Sequence, residues 1–283
     1  MPRSSDAAQT ITPELLAWLA AQRASGLADE ALLTALGAAG WSSAVAAEAL
    51  LRGRLVDPAT AQSHSGHGPR VAVDDTGTMV DAGDRWVKVL RRVEKPELWE
   101  FAGLLSPAEC EALVAAARPR MARSRTVDTQ TGGEALNRDR TSQGMFFTRG
   151  EDALILRIEA RIAKLLGWPV QNGEGLQVLR YAPGAQYRPH HDYFDPAEPG
   201  TPSILKRGGQ RVGTLLMYLQ APEAGGDTVF PDIGLSIPPQ RGHAVFFSYP
   251  QPDPASLSLH GGAPVTAGEK WVATKWLRER EFI

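Results

Sequence analysis

Beyond Gly175 the chain breaks into short stretches of strand character separated by proline- and glycine-rich turns: Leu176–Tyr181, Tyr187–Tyr193, Arg211–Leu219, Thr228–Phe230, His243–Tyr249 and Lys270–Leu277. Strands this short bury their apolar faces only against one another, and the compact solutions are a barrel or a jelly roll. Two helices precede them. Ser106-Pro107-Ala108-Glu109 is a capping-box start with proline in the first turn, leading a helix through about Ala117, and Leu154–Leu166 is an amphipathic helix closed by Gly167. The expectation is an α+β chain with a mainly β core and helices buttressing one outer face. Arg123–Ser142, polar and glycine-containing, reads as a long mobile loop.

The first fifty residues hold fifteen alanines at helical spacing, with stripes at Leu15, Leu16, Trp18 and Leu19, at Leu32, Leu33 and Leu36, and at Val45, Ala46, Ala49 and Leu50. Thr12-Pro13 supplies a start signal and the glycines at 26, 37 and 40 supply breaks, so residues 1–55 are expected to form a small helical bundle. Residues 56–84 lose periodicity and read as a linker, leaving 85–283 as the main domain. His64 and His67 fall in that linker, where a flexible His-x-x-His is a poor preorganised metal site.

A formal charge of −2 over 283 residues, with no basic stripe, argues against nucleic acid as partner. The single cysteine, Cys110, excludes an internal disulfide and any multi-cysteine metal site. With no membrane-length apolar run and a polar start, a cytoplasmic protein with no membrane association is expected.

Chemistry concentrates in the strand region. On a strand, residues two apart share a face, so His190 and Asp192 of Pro189-His190-His191-Asp192 can converge on one ion while His191 points away. Alone, the pair reads more simply as a solvated histidine beside a carboxylate. His260, flanked by loop-formers, completes a set of two histidines and one carboxylate, the facial triad of non-haem Fe(II) oxygenases. By alternation Lys270, Val272, Thr274 and Trp276 share a face. If that face is interior, Lys270 needs an anionic partner, such as a dicarboxylate cosubstrate; alone, it reads as a surface lysine. Tyr181 can offer its hydroxyl to the same carboxylate. His243 is more simply a packed histidine than a ligand. Phe194, Tyr218, Phe230, Phe246, Phe247 and Trp271 read as core, and Arg278-Glu279-Arg280-Glu281 as a solvated end.

Residues 176–192, Gly209–Leu219, Gly225-Gly-Asp-Thr-Val-Phe-Pro231, Ser258–Trp276, Arg140-Thr-Ser-Gln-Gly-Met-Phe146 and the Leu105–Cys110 helix start together resemble the 2-oxoglutarate- and Fe(II)-dependent dioxygenases of the prolyl 4-hydroxylase catalytic-domain family. The resemblance runs from about residue 85 to the end. It implies a double-stranded β-helix (jelly roll), iron ligands His190, Asp192 and His260, and Lys270 pairing with the distal carboxylate of 2-oxoglutarate, assisted by Tyr181 and Thr214. It further implies Tyr187, Trp276 and Arg140 on the substrate side, with no catalytic residue beyond the metal ligands. The segments Arg123–Ser142 and Phe194–Gly208 would be mobile and close over a peptide. The implied reaction hydroxylates a peptidyl proline of a peptide or protein partner while 2-oxoglutarate and O2 give succinate and CO2, with L-ascorbate as auxiliary reductant. Aspartate at 192, where halogenating relatives have a small residue, predicts hydroxylation. Ala263 stands where the family often has cysteine, consistent with a reducing compartment.

The alternatives are the same chemistry on a free amino acid or another protein side chain, or a catalytically silent metal-binding jelly roll. The N-terminal hundred residues match neither a membrane anchor nor the peptide-binding region of the animal collagen enzymes, and the alanine-rich bundle would suit choosing a protein target. Oligomeric state is not legible.

Overall fold

The computed structural model describes residues 9–24, 27–56, 68–127, 133–136 and 141–283. Its core is a nine-stranded antiparallel sheet in the order Met79–Asp81, Trp86–Val93, Glu97–Ala102, Ala244–Ser248, Arg211–Gln220, Lys270–Arg278, Leu176–Tyr181, Gln143–Phe147 and Ala122–Arg123. A second sheet has four strands, Leu235–Ile237, Thr228–Phe230, His260–Gly262 and Tyr187–His190. A cavity lies between the two, so the β core has a jelly-roll arrangement. No helix among the described residues is long and apolar enough to cross a membrane.

The helices Pro107–Ala117 and Ala153–Leu166 cover the outer face of the large sheet. Both halves of the capping box form, Ser106 Oγ accepting from the Glu109 N–H and Glu109 from the Ser106 N–H. Asp152 caps the second helix, and Gly167 ends it with φ 56°, a conformation glycine adopts without strain. Ile155, Ile158, Ile162 and Leu165 then pack with Trp271, Ala273 and Leu277 of the central strand. Every residue of that strand, Lys270–Arg278, is buried, because helices cover one face and the small sheet the other. The helix side also carries charge: Lys275 pairs with Glu159, and Arg161 with Glu109 and Asp84.

Near the N-terminus the helices Pro13–Ala24, Asp29–Ala38 and Ser43–Val56 pack around Leu19, Leu32, Leu36, Ala46, Ala49 and Leu50. Trp18 and Leu33, read as stripe residues, are exposed.

Several expectations change. The 56–84 span is not linker to its end: Met79–Asp81 pairs with Trp86–Lys88, Val71 packs on the core, and the Arg70 N–H donates to the Leu166 carbonyl. Within Arg123–Ser142, Arg125–Val127 pairs with Glu134–Leu136, and Arg123 joins the sheet edge. The strand starting at Tyr187 stops at His190 rather than reaching Tyr193. Arg278 is buried, its guanidinium donating to the carbonyls of Ile204 and Arg207 rather than to solvent. His64 and His67 lie outside the described residues.

Candidate active site

His190 and His260 stand opposite each other in the register of their two strands, with ring centroids 4.4 Å apart. Asp192, two residues beyond the strand end, reaches between them: its carboxylate oxygens lie 3.6 Å from His190 Nε2 and 3.5 Å from His260 Nε2. One donor atom from each residue falls within 4.8 Å of the others. Octahedral ligands at about 2.1 Å from a shared ion stand roughly 3 Å apart, so a small inward movement would close this set on one ion. Both Nδ1 atoms face backbone carbonyls, Arg188 O at 2.9 Å and Ser258 O at 3.0 Å. A carbonyl only accepts, so each Nδ1 carries the proton and each Nε2 presents its lone pair inward.

The charge states agree. Burial pushes the Asp192 carboxyl up, but the nearby His260, His190 and Arg211 together hold it well below the usual carboxylate range. Burial and the neighbouring His190 push His260 down to about 4 against the pull of Asp192. A neutral imidazole and an ionised carboxylate are the forms that bind a metal, and two nitrogens with one oxygen suit Fe(II). His243 is not among these groups; it is half-buried, its pKa lowered by desolvation.

A cavity opens beside the triad. Lys270, Val272, Thr274 and Trp276 all line it, as do Tyr181, Tyr187 and Thr214. Arg140 lies outside the described residues. Lys270 is 4% exposed; its ammonium donates to the Gly226 carbonyl at 2.6 Å and lies 5.8 and 5.6 Å from the Tyr181 and Tyr218 rings. Burial lowers its pKa to about 8, with Asp227 opposing. Tyr187 stacks on His190 with centroids 3.6 Å apart.

Thr214 sits elsewhere than expected. Its hydroxyl donates to Asp192 Oδ2 at 2.7 Å and lies 2.5 Å from the Tyr249 hydroxyl, so it serves the triad rather than Lys270.

Residues 176–278 match the 2OG-Fe(II) oxygenase superfamily, a span containing the triad, Tyr181 and Lys270. Prolyl 4-hydroxylase 5 of Arabidopsis thaliana is 43% identical over 223 residues, 71% of this chain and 74% of that one. Prolyl 4-hydroxylase 1 of the same plant is 45% identical over 204 residues, 65% of this chain and 70% of that one. The chain belongs to the prolyl 4-hydroxylase family of 2OG-Fe(II) oxygenases. Among solved structures, the 2OG complex of a viral collagen prolyl hydroxylase from Paramecium Bursaria Chlorella virus-1 aligns at 32% identity and a TM-score of 0.49, covering 64% of this chain and 95% of that one.

In this prolyl 4-hydroxylase family member, several site residues escaped the sequence reading. Thr228 lines the cavity two residues from the carbonyl that holds Lys270, and its hydroxyl accepts from Tyr218. It stands in Gly225–Pro231, a stretch the resemblance included without assigning its hydroxyl. Arg211 stacks on Trp276 at 4.0 Å and forks onto Glu174 at 2.7 and 2.9 Å. Phe247 and Phe230, read as plain core, flank the His260 ring at 4.5 and 5.9 Å. The Phe194–Gly208 segment is tied down at its ends: the Gln210 side chain bonds both backbone groups of Phe194, and Arg278 holds two of its carbonyls.

Proposed function

We propose that the protein hydroxylates a proline residue of a peptide or protein, using Fe(II), O2 and 2-oxoglutarate. The observation that carries this reading is one cavity with a His190–Asp192–His260 donor set in its wall and a buried ammonium, Lys270, lacking a carboxylate partner among the described residues. In this reading His190, Asp192 and His260 hold iron through Nε2, a carboxylate oxygen and Nε2. Bound Fe(II) would supply the one-electron chemistry that couples decarboxylation of 2-oxoglutarate to C–H hydroxylation, with succinate and CO2 released. Lys270 pairs with the far carboxylate of 2-oxoglutarate, with Tyr181 and Thr228 as the adjacent hydroxyls. That contact fixes the cosubstrate end-on and provides the anion the buried ammonium requires.

Tyr187 and Trp276 form the aromatic substrate side, and Arg211 and Glu174 keep the Trp276 ring in place from behind. Occupying position 192 with a carboxylate favours hydroxylation over halogenation. Ascorbate serves as auxiliary reductant. The N-terminal helices are read as a unit apart from the oxygenase portion.

The test is succinate release by purified protein with Fe(II) and ascorbate, comparing a proline-rich peptide with free proline. Peptide-dependent succinate, lost in His190→Ala and Lys270→Ala, supports the reading. Succinate with free proline alone favours an amino-acid substrate, and iron and 2-oxoglutarate both failing to bind rejects the site.

A further inference from the structure

Each histidine of the triad has its own support: a strand ladder holds the backbone and a carbonyl holds Nδ1. Asp192 has no ladder, since its strand ends at His190. Four side-chain hydrogen bonds take that place. Thr214 donates to the carboxylate, and Arg211 Nη1 reaches the Asp192 carbonyl at 3.3 Å. The remaining two come from one side chain, Gln210. Its Oε1 accepts from the Phe194 N–H at 2.8 Å, and its Nε2 donates to the Phe194 carbonyl at 2.7 Å. The carboxamide thus acts as a substitute strand, pairing with both backbone groups of one residue.

Gln210 is itself firmly held. It is 4% exposed, its N–H donates to Glu279 Oε2 at 2.8 Å, and its carbonyl accepts from the Glu279 N–H at 2.9 Å. Its Oε1 also accepts from the Arg211 N–H at 3.0 Å. The Phe194 ring lies beneath Arg211 at 4.8 Å, so segment and clamp share one packed unit.

We propose that Gln210 is a positioning residue for the metal centre: by clamping Phe194 it fixes the backbone that aims the Asp192 carboxylate between the two histidines. The inference rests on the triad being the metal site. Removing the carboxamide leaves two buried backbone groups without these partners, and the segment must shift to find others. Metal affinity is sensitive to such outer partners, typically by about 10- to 100-fold.

The experiment is titration of the metal-free chain with Co(II), followed by its visible absorption, with thermal midpoints recorded alongside. Gln210→Met matches the length of glutamine but loses both bonds; Gln210→Glu keeps an acceptor for the Phe194 N–H and loses the donor. Glu159→Gln, on the helix side of the sheet, is the stability control. The expected result is a Kd raised at least 10-fold in Gln210→Met and by less in Gln210→Glu, with no rise in Glu159→Gln despite a lower midpoint. If Gln210→Met does not fold, the Gln210→Glu comparison decides alone. Wild-type affinity in the folded Gln210 variants, or an equal rise in Glu159→Gln, overturns the clamp and leaves the metal site standing. Wild-type protein that does not bind Co(II), or Asp192→Ala that binds it as tightly as wild type, overturns both.

Discussion

Lys270 Nζ donates to the Gly226 carbonyl at 2.6 Å, and that carbonyl is its hydrogen-bond partner in a pocket that desolvates it almost completely. The ligand-free protein therefore holds a charge it is better off without. Its pKa drops from the ordinary 10.5 to about 8, a difference worth about 3 kcal/mol. Below about pH 8 that cost is fully present. Between 8 and 10.5 the folded lysine has lost a proton that the unfolded chain still carries, so stability rises with pH through that window.

Three outcomes are expected. Lys270→Met raises the thermal midpoint of the ligand-free protein at pH 7, by less than the full 3 kcal/mol implies because the Gly226 carbonyl loses its donor. The same variant loses stabilisation by 2-oxoglutarate. In the wild type, 2-oxoglutarate affinity is flat below about pH 8 and weakens up to tenfold per pH unit above it, since binding must then take up a proton. Calorimetric titrations at pH 7 and pH 9 check this, and equal affinities would show that the ammonium is not the anchor.

The two threonines of the cavity should separate cleanly. Thr214→Val removes the hydroxyl that Asp192 Oδ2 accepts from and preserves the shape, so metal Kd should rise roughly tenfold with little change in the KM for 2-oxoglutarate. Thr228→Val should do the reverse. Measuring Co(II) affinity and 2-oxoglutarate KM on both variants gives four numbers. A raised KM in Thr214→Val with intact metal binding would return Thr214 to the cosubstrate.

Gly261 follows a metal-ligand candidate at a point where two backbones touch. A Cβ there would lie 2.9 Å from the Tyr187 carbonyl oxygen and 3.0 Å from the Pro189 nitrogen, atoms with no flexible side chain to yield. Gly261→Ala must push the His260 strand away from the His190 strand and part the two imidazoles. Expected are a metal affinity at least 10-fold weaker and a modest drop in midpoint; an unchanged Co(II) spectrum would show that the strands slide without separating the ligands.

What could be read from the sequence followed alternation and spacing. Lys270, Val272, Thr274 and Trp276 share the cavity wall because a strand fixes side-chain direction every second residue. Which end of the cavity a residue reaches depends on register instead. Thr214 pairs with Trp276, far along the strand from Lys270, and nothing local in Val212-Gly213-Thr214 reveals that. Glu174 and Arg211 find each other across 37 positions, and each looks ordinary in its own surroundings. Arg278 appeared solvated because the carbonyls that bury it belong to a loop some seventy residues earlier. Trp86–Val93 escapes notice for a different reason: it leaves most of its residues exposed, so its apolar pattern is weak.

Behind the site, Glu159 and Lys275 form an ion pair at 2.5 Å with side chains 1% and 2% exposed, facing the helices rather than the cavity. Burial lowers the Lys275 pKa, with Glu159 as the main opposing influence. Glu159→Gln leaves an ammonium without its counter-charge, a loss of about 3–5 kcal/mol at neutral pH. Glu159→Leu combined with Lys275→Met removes both desolvation costs and should recover most of it. In Glu159→Gln the lysine pKa falls further, so the folded chain sheds that proton at a lower pH than the unfolded one. Stability then rises with pH, and the deficit relative to wild type should shrink between pH 7 and pH 10. Denaturant midpoints at both pH values check the sign. A deficit that stays constant would mean that Lys275 remains charged, held by another carboxylate such as Glu174, which also favours its protonated form.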